Sequence, residues 1–131
     1  MIQPFTMLAL GVVEVDDATV VAVSGELDLC TVPGLHELVA SQIAAGRVRL
    51  VLELSELTFC DATGAGELLR CRRLLRERGG RLSLLQVSPQ VRRVLRITGL
   101  TGVLPAYSSL AESILAVSLS GAAPEELPRA C

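Results

Sequence analysis

Two valine-rich runs, Val12 to Val15 and Thr19 to Val23, flank Asp16-Asp17-Ala18. β-Branched segments on either side of an Asp-rich turn predict a hairpin of two antiparallel strands. Further on, Leu35, Leu38, Val39, Gln42 and Ile43 recur at helical spacing, with Thr31 placed as an N-cap, Pro33 in the first turn and Gly46 as the stop. Leu50 to Leu54 is apolar apart from Glu53, as expected of a strand inside a sheet. A helix is predicted to follow Thr58-Phe59-Cys60-Asp61-Ala62-Thr63-Gly64-Ala65-Gly66 and run to Arg78, with Leu68, Cys71 and Leu75 on its core stripe and Arg70, Arg73 and Glu77 on another face. Gly79-Gly80 ends it.

The rest of the chain continues the alternation. Arg81 to Val87 reads as a strand, and Ser88-Pro89 as the cap and first turn of a helix through Arg96. Val103 to Ala106 reads as a short strand and Ser108 to Leu119 as a closing amphipathic helix. The pattern predicts an α/β fold: a mixed, mostly parallel sheet of about five strands with an N-terminal antiparallel hairpin and about four helices. One domain over residues 8–119 is expected, followed by a loose polar tail over 120–131. In such sheets sites lie outside the carboxyl ends of strands, where the next helix starts. The segment from Thr58 to Gly66 holds such a position.

Composition narrows the chemistry. Half of the 131 residues are hydrophobic and 20% are charged, at a mean hydropathy of +0.52 over the whole chain, which excludes a disordered chain. The aromatic set is Phe5, Phe59 and Tyr107, too few for base-stacking platforms. The net charge of −2 hides a segregation: residues 67–96 hold nine arginines against Glu67 and Glu77, while the remainder holds three arginines against twelve acids. A basic segment inside an acidic chain admits a partner surface or a nucleic-acid footprint, and its plainer reading is the solvated face of two helices. His36 is the single histidine and reads as surface decoration beside Glu37. Cys30, Cys60, Cys71 and Cys131 form no C-x-x-C pair, so neither a metal site nor a cofactor is expected, and reduced thiols in a cytoplasm are the simpler reading. Met1 to Val13 lacks the basic start and cleavage site of a signal peptide, and no run is long enough to span a bilayer.

Gly64 and Gly66 leave backbone unshielded at a helix start, where free N–H groups and the helix dipole favour an anion such as a phosphoryl group. The spacing fits neither a Walker A loop nor G-x-G-x-x-G. Taken with Gly25-Glu26-Leu27-Asp28, Arg78-Gly79-Gly80, Ser88-Pro89-Gln90-Val91 and Ile97-Thr98-Gly99-Leu100, the run Asp61-Ala62-Thr63-Gly64-Ala65-Gly66 resembles the STAS domain of the anti-sigma factor antagonists. The resemblance spans about Leu8 to Leu119, with five motifs in register.

That resemblance implies a switch protein without catalytic residues. Members of the family bind an anti-sigma factor, usually a serine kinase, and so release a sigma factor for transcription. The kinase phosphorylates a hydroxyl in the loop, typically the first Ser of an Asp-Ser-Ser/Thr-Gly pattern. Here that position is Ala62, which has no hydroxyl, so Thr63 is the candidate phosphoacceptor. Asp28, Asp61, Ala62, Thr63 and Gly64 are the candidate partner-binding residues. Two alternatives stand: regulation through Thr63, or regulation without phosphorylation. The residues alone also admit plainer roles: Thr63 as N-cap of its helix, Asp61 as an acid at the helix start, Asp28 as a turn residue, and Cys60 as a small buried side chain. Among other functions, an enzyme lacks a nucleophile, base and orienter, and direct nucleic-acid binding lacks a motif. The competing function is a STAS interaction module of another complex, such as a stress-signalling scaffold or a lipid-transport ATPase.

Overall fold

The computed structural model describes residues 7–118; the expected tail over 120–131 lies outside the described residues. The hairpin forms as predicted, with β1 (Leu8–Val15) and β2 (Ala18–Leu27) antiparallel from Leu8↔Gly25 to Val15↔Ala18. Asp16 turns the chain at φ 56°, in the left-handed region that Asp tolerates better than most residues. Helix α1 (Val32–Ala44) follows, then β3 (Arg49–Glu53), β4 (Leu57–Cys60), α2 (Ala62–Glu77), β5 (Arg81–Leu85), α3 (Pro89–Ile97), β6 (Ala106–Tyr107) and α4 (Leu110–Val117).

The sheet runs β1-β2-β3-β5-β6, and all pairings after the hairpin are parallel. β1 occupies one edge of β2 throughout, so β3 and β4 share the other. β3 runs along Thr19–Ala22 and β4 along Gly25–Leu27. The chain makes this change at Leu54–Leu57, where the Leu57 N–H donates to the Leu54 carbonyl at 3.1 Å. At the break in register Gly25 adopts φ +105°, and its N–H donates to the Glu56 carbonyl at 3.1 Å; a Cβ there would strike the Met7 carbonyl. A side chain at this position is excluded twice over, by backbone conformation and by space.

Side-chain alternation sorts the core onto two faces. Val21 and Val23, Leu50 and Leu52, and Leu82 and Leu84 point to the face covered by α1, α2 and α3, where they meet Leu35, Val39, Leu68, Cys71, Leu75, Val91 and Leu95. Ala18, Val20, Val51 and Leu85 point to the other face, which α4 covers with Val117 and Ile114. The predicted stripe of Leu68, Cys71 and Leu75 is fully buried.

Three expectations are corrected. Thr58–Cys60, read as the start of a loop running to Gly66, belongs to the strand Leu57–Cys60, so the sheet has six strands among the described residues. The last strand is not Val103 to Ala106 but Ala106–Tyr107. Residues 101–103 turn, and Leu104 is buried as a plug in the core. Thr31 does sit at the N-cap position of α1, but its hydroxyl caps nothing in the helix; it donates to the Glu26 carbonyl at 2.8 Å instead.

Candidate partner-binding site

The ends of β2 and β4 bring the two acidic motifs together. Leu27 and Cys60 are register partners on adjacent parallel strands, so Asp28 and Asp61 leave the sheet side by side, one strand spacing (about 4.8 Å) apart. The Asp61 N–H reaches back to the Leu27 carbonyl at 3.4 Å. Each aspartate then opens a helix. The Asp28 carboxylate accepts from the Cys30 and Thr31 N–H groups at 3.0 and 3.2 Å, a side-chain turn that launches α1. Asp28 therefore does serve as a turn residue.

Asp61, rather than Thr63, is the N-cap of α2. Its backbone is extended, and its Oδ1 accepts from the Gly64 N–H at 2.9 Å. Thr63 lies a residue inside the helix start, solvent-exposed, and its hydroxyl makes no hydrogen bond among the described residues. Ala62 is exposed beside it. The first-turn N–H groups of Ala62 and Thr63 have no intrahelical partner, as at every helix start, so the Thr63 hydroxyl stands at the positive end of the helix dipole. This arrangement makes a stability prediction. Asp61→Ala removes a cap and should cost about 1 kcal/mol. Thr63→Ala removes nothing structural and should stay within about 0.5 kcal/mol of the parent. Urea unfolding midpoints check both; equal losses would return the cap to Thr63.

Gly64 is buried where α2 comes closest to the sheet. A Cβ on it would lie 2.5 Å from the Leu27 carbonyl oxygen and 3.0 Å from Cys60 Sγ. Of the candidate residues, Asp28, Asp61, Ala62 and Thr63 line the rim, while Gly64 sits beneath it and lets the rim close up. Cys60 is buried, and burial first, then the neighbouring Asp61 charge, pushes its thiol up to about 12. It stays protonated at neutral pH, so the structure gives it packing and no thiolate chemistry.

Sequence reasoning missed two kinds of residue here. Leu29 is 73% exposed directly after Asp28, and Phe59 is 39% exposed two residues before Asp61. The second miss is Glu67, whose side chain is fully buried on α2. Its Oε2 accepts from His36 Nδ1 on α1 at 3.0 Å and from Cys71 Sγ at 3.4 Å, and its Oε1 accepts from Arg70 Nη1 at 3.0 Å. His36 is thus not decoration: it ties α1 to α2 just behind the rim. Burial above all, reinforced by Glu67, raises the Cys71 thiol as well. Among the described residues no group of His, Cys, Asp and Glu side chains is placed to hold a metal ion, and no helix is long and apolar enough to cross a membrane.

Comparison with known proteins agrees with this geometry. The family model of the STAS domain matches residues 9–113. An anti-sigma F factor antagonist of Paenibacillus polymyxa is 33% identical over 95 residues, covering 69% of this chain and 78% of that protein. An anti-sigma factor antagonist from Mycobacterium paratuberculosis superimposes with a TM-score of 0.75 at 29% identity, covering 85% of this chain and 94% of that one. The Bacillus cell fate determinant SpoIIAA in its phosphorylated form superimposes at 0.63 with 28% identity, covering 81% of this chain and 96% of that one. Six strands in the same mixed sheet, two acidic turns at one end of it and this agreement in sequence and shape have one reading: the chain belongs to the STAS domain family, among the anti-sigma factor antagonists.

Proposed function

We propose that this chain docks an anti-sigma factor of the serine-kinase type on the rim formed by Asp28, Asp61, Ala62 and Thr63, and so frees a sigma factor for transcription. The observation that supports it is the first turn of α2: exposed, capped by Asp61, and set beside the Asp28 turn and the apolar Leu29 and Phe59. The chain contributes a shaped surface and no covalent chemistry of its own, and it works in the cytoplasm with its partner. Substituting Asp28, Asp61 and Thr63 together should abolish the complex. An unchanged affinity would remove the reading.

Regulation turns on the pair Ala62 and Thr63. Ala62 has no oxygen to modify, whereas the Thr63 hydroxyl is exposed and unengaged among the described residues. A phosphoryl group on Thr63 would add about −1.5 to −2 charges at a helix start, where the dipole favours it by roughly 0.3–1 kcal/mol. Beside Asp61, the same charge would repel an acidic partner surface. A Bacillus relative is known in a phosphorylated form, which favours a hydroxyl switch, and Ala62 at the usual acceptor position favours control by other means. Incubation with the cognate kinase and ATP, followed by peptide mapping, decides between them: label on Thr63 removes the reading without phosphorylation, and no label removes the Thr63 switch and leaves constitutive binding or control by other means. The loss of the acceptor at Ala62 also supports a second reading, a module serving a signalling scaffold or a lipid-transport ATPase. A pull-down from native extract separates these partners from an anti-sigma kinase.

A further inference from the structure

The far half of α2 carries a second surface. Arg72, Arg73 and Arg76 lie at i,i+3 and i,i+4 spacing, so their side chains are helix-surface neighbours, and Arg78 follows at the C-cap. Arg73, Arg76 and Arg78 are exposed, and none of these four forms an ion pair among the described residues. Arg70, by contrast, is engaged by Glu67. Burial first, and then the crowding of Arg76, Arg73 and Arg81, lowers the Arg72 guanidinium from its ordinary value. A C-terminal helix turn welcomes one or two cations, which accounts for Arg76 but not for the crowd. α3, packed alongside, adds the exposed Arg92, Arg93 and Arg96.

From this juxtaposition we infer a second docking surface on the C-terminal half of α2, built by Arg72, Arg73, Arg76 and Arg78, whose occupant is an acidic polypeptide segment. Guanidinium forks match carboxylates two bonds at a time, and several on one helix face select a run of Asp or Glu. Ten residues separate Thr63 from Arg73, about 15 Å along the helix axis, so the rim and this surface can be occupied together. Nucleic acid fits less well. A duplex long enough to follow α2 runs into the acidic rim at its other end, and no aromatic side chain of the described residues belongs to the basic stretch.

The test uses the full chain and a fluorescein-labelled polyglutamate peptide, followed by anisotropy at about 50 mM salt. Binding is expected, weakened about tenfold by R73Q/R76Q and lost as salt rises. Circular dichroism of that variant should match the parent, since both positions are exposed. An affinity unaltered by R73Q/R76Q overturns the inference. So does tighter binding of a DNA duplex than of polyglutamate, which would make the surface a nucleic-acid site. A third overturning result is polyglutamate affinity that rises about tenfold in E125Q/E126Q, because the occupant would then be the chain's own C-terminal acids.

Discussion

Gly64→Ala is expected to destabilise the fold by about 1–3 kcal/mol and to weaken partner binding beyond that loss. The new methyl would stand 2.5 Å from the Leu27 carbonyl oxygen, with the Leu27 side chain and Cys60 Sγ both at 3.0 Å. The closest of these atoms is backbone at the end of β2, locked into the pairing with β4, so it cannot swing aside as a side-chain tip would. The helix must move instead. Since α2 starts only two residues earlier, the shift falls on Ala62 and Thr63 and opens their distance from the Asp28 turn. The control sits two residues on. A Cβ at Gly66 meets nothing within 4 Å, so Gly66→Ala should gain about 0.5–1 kcal/mol from helix propensity and leave binding intact. Urea unfolding and partner titration of both variants check the contrast. Were Gly64→Ala as stable as Gly66→Ala, the close approach of helix and strand would not govern the rim.

The two glycines also mark what sequence alone could tell. Periodicity located α1, α2 and α3, because Leu35, Val39 and Ile43, Leu68, Cys71 and Leu75, and Val91 and Leu95 recur at the helical interval and are buried. Turn chemistry located the hairpin and the ends of α1 and α2, where Gly46 and Gly79 take positive φ. Nothing in the spacing distinguishes Gly64 from Gly66, however, since the difference lies in how near a distant strand approaches. β4 was illegible for a related reason. It has four residues, buried only at Leu57 and Cys60, and so shows neither alternation nor an unbroken apolar run. Its place on β2 comes from the break at Gly25, a long-range effect. The acidic motifs were visible as Asp28 and Asp61, but the choice of Asp61 over Thr63 as cap depended on where the helix begins. That boundary is the least legible feature of any sequence, because one residue decides it.

Glu67 was hidden by its type, since a glutamate among arginines reads as surface. Because its side chain has no exposure and its oxygens serve His36, Arg70 and Cys71, the pairing with His36 makes a second large-effect prediction. Glu67→Ala should cost about 2–4 kcal/mol, as truncation of a buried side chain against packed helices does. His36→Ala should cost about 2–3 kcal/mol, because it strips one strong partner from a carboxylate that cannot reach water. The double substitution His36→Leu/Glu67→Leu should be less costly than either single one: it removes the buried charge together with its partner and fills the space. Arg70, already more than half exposed, can then turn to solvent. Denaturant unfolding of the three variants tests this, and a double variant less stable than both single ones would overturn it. Partner binding should follow a different order. α1 begins at the Asp28 turn and α2 at the Asp61 cap, so the polar tie fixes the two acidic turns at one relative position. A Leu–Leu contact restores cohesion without a directional bond and leaves the helices free to slide. The double variant should therefore fold well and still bind its partner less tightly than the parent.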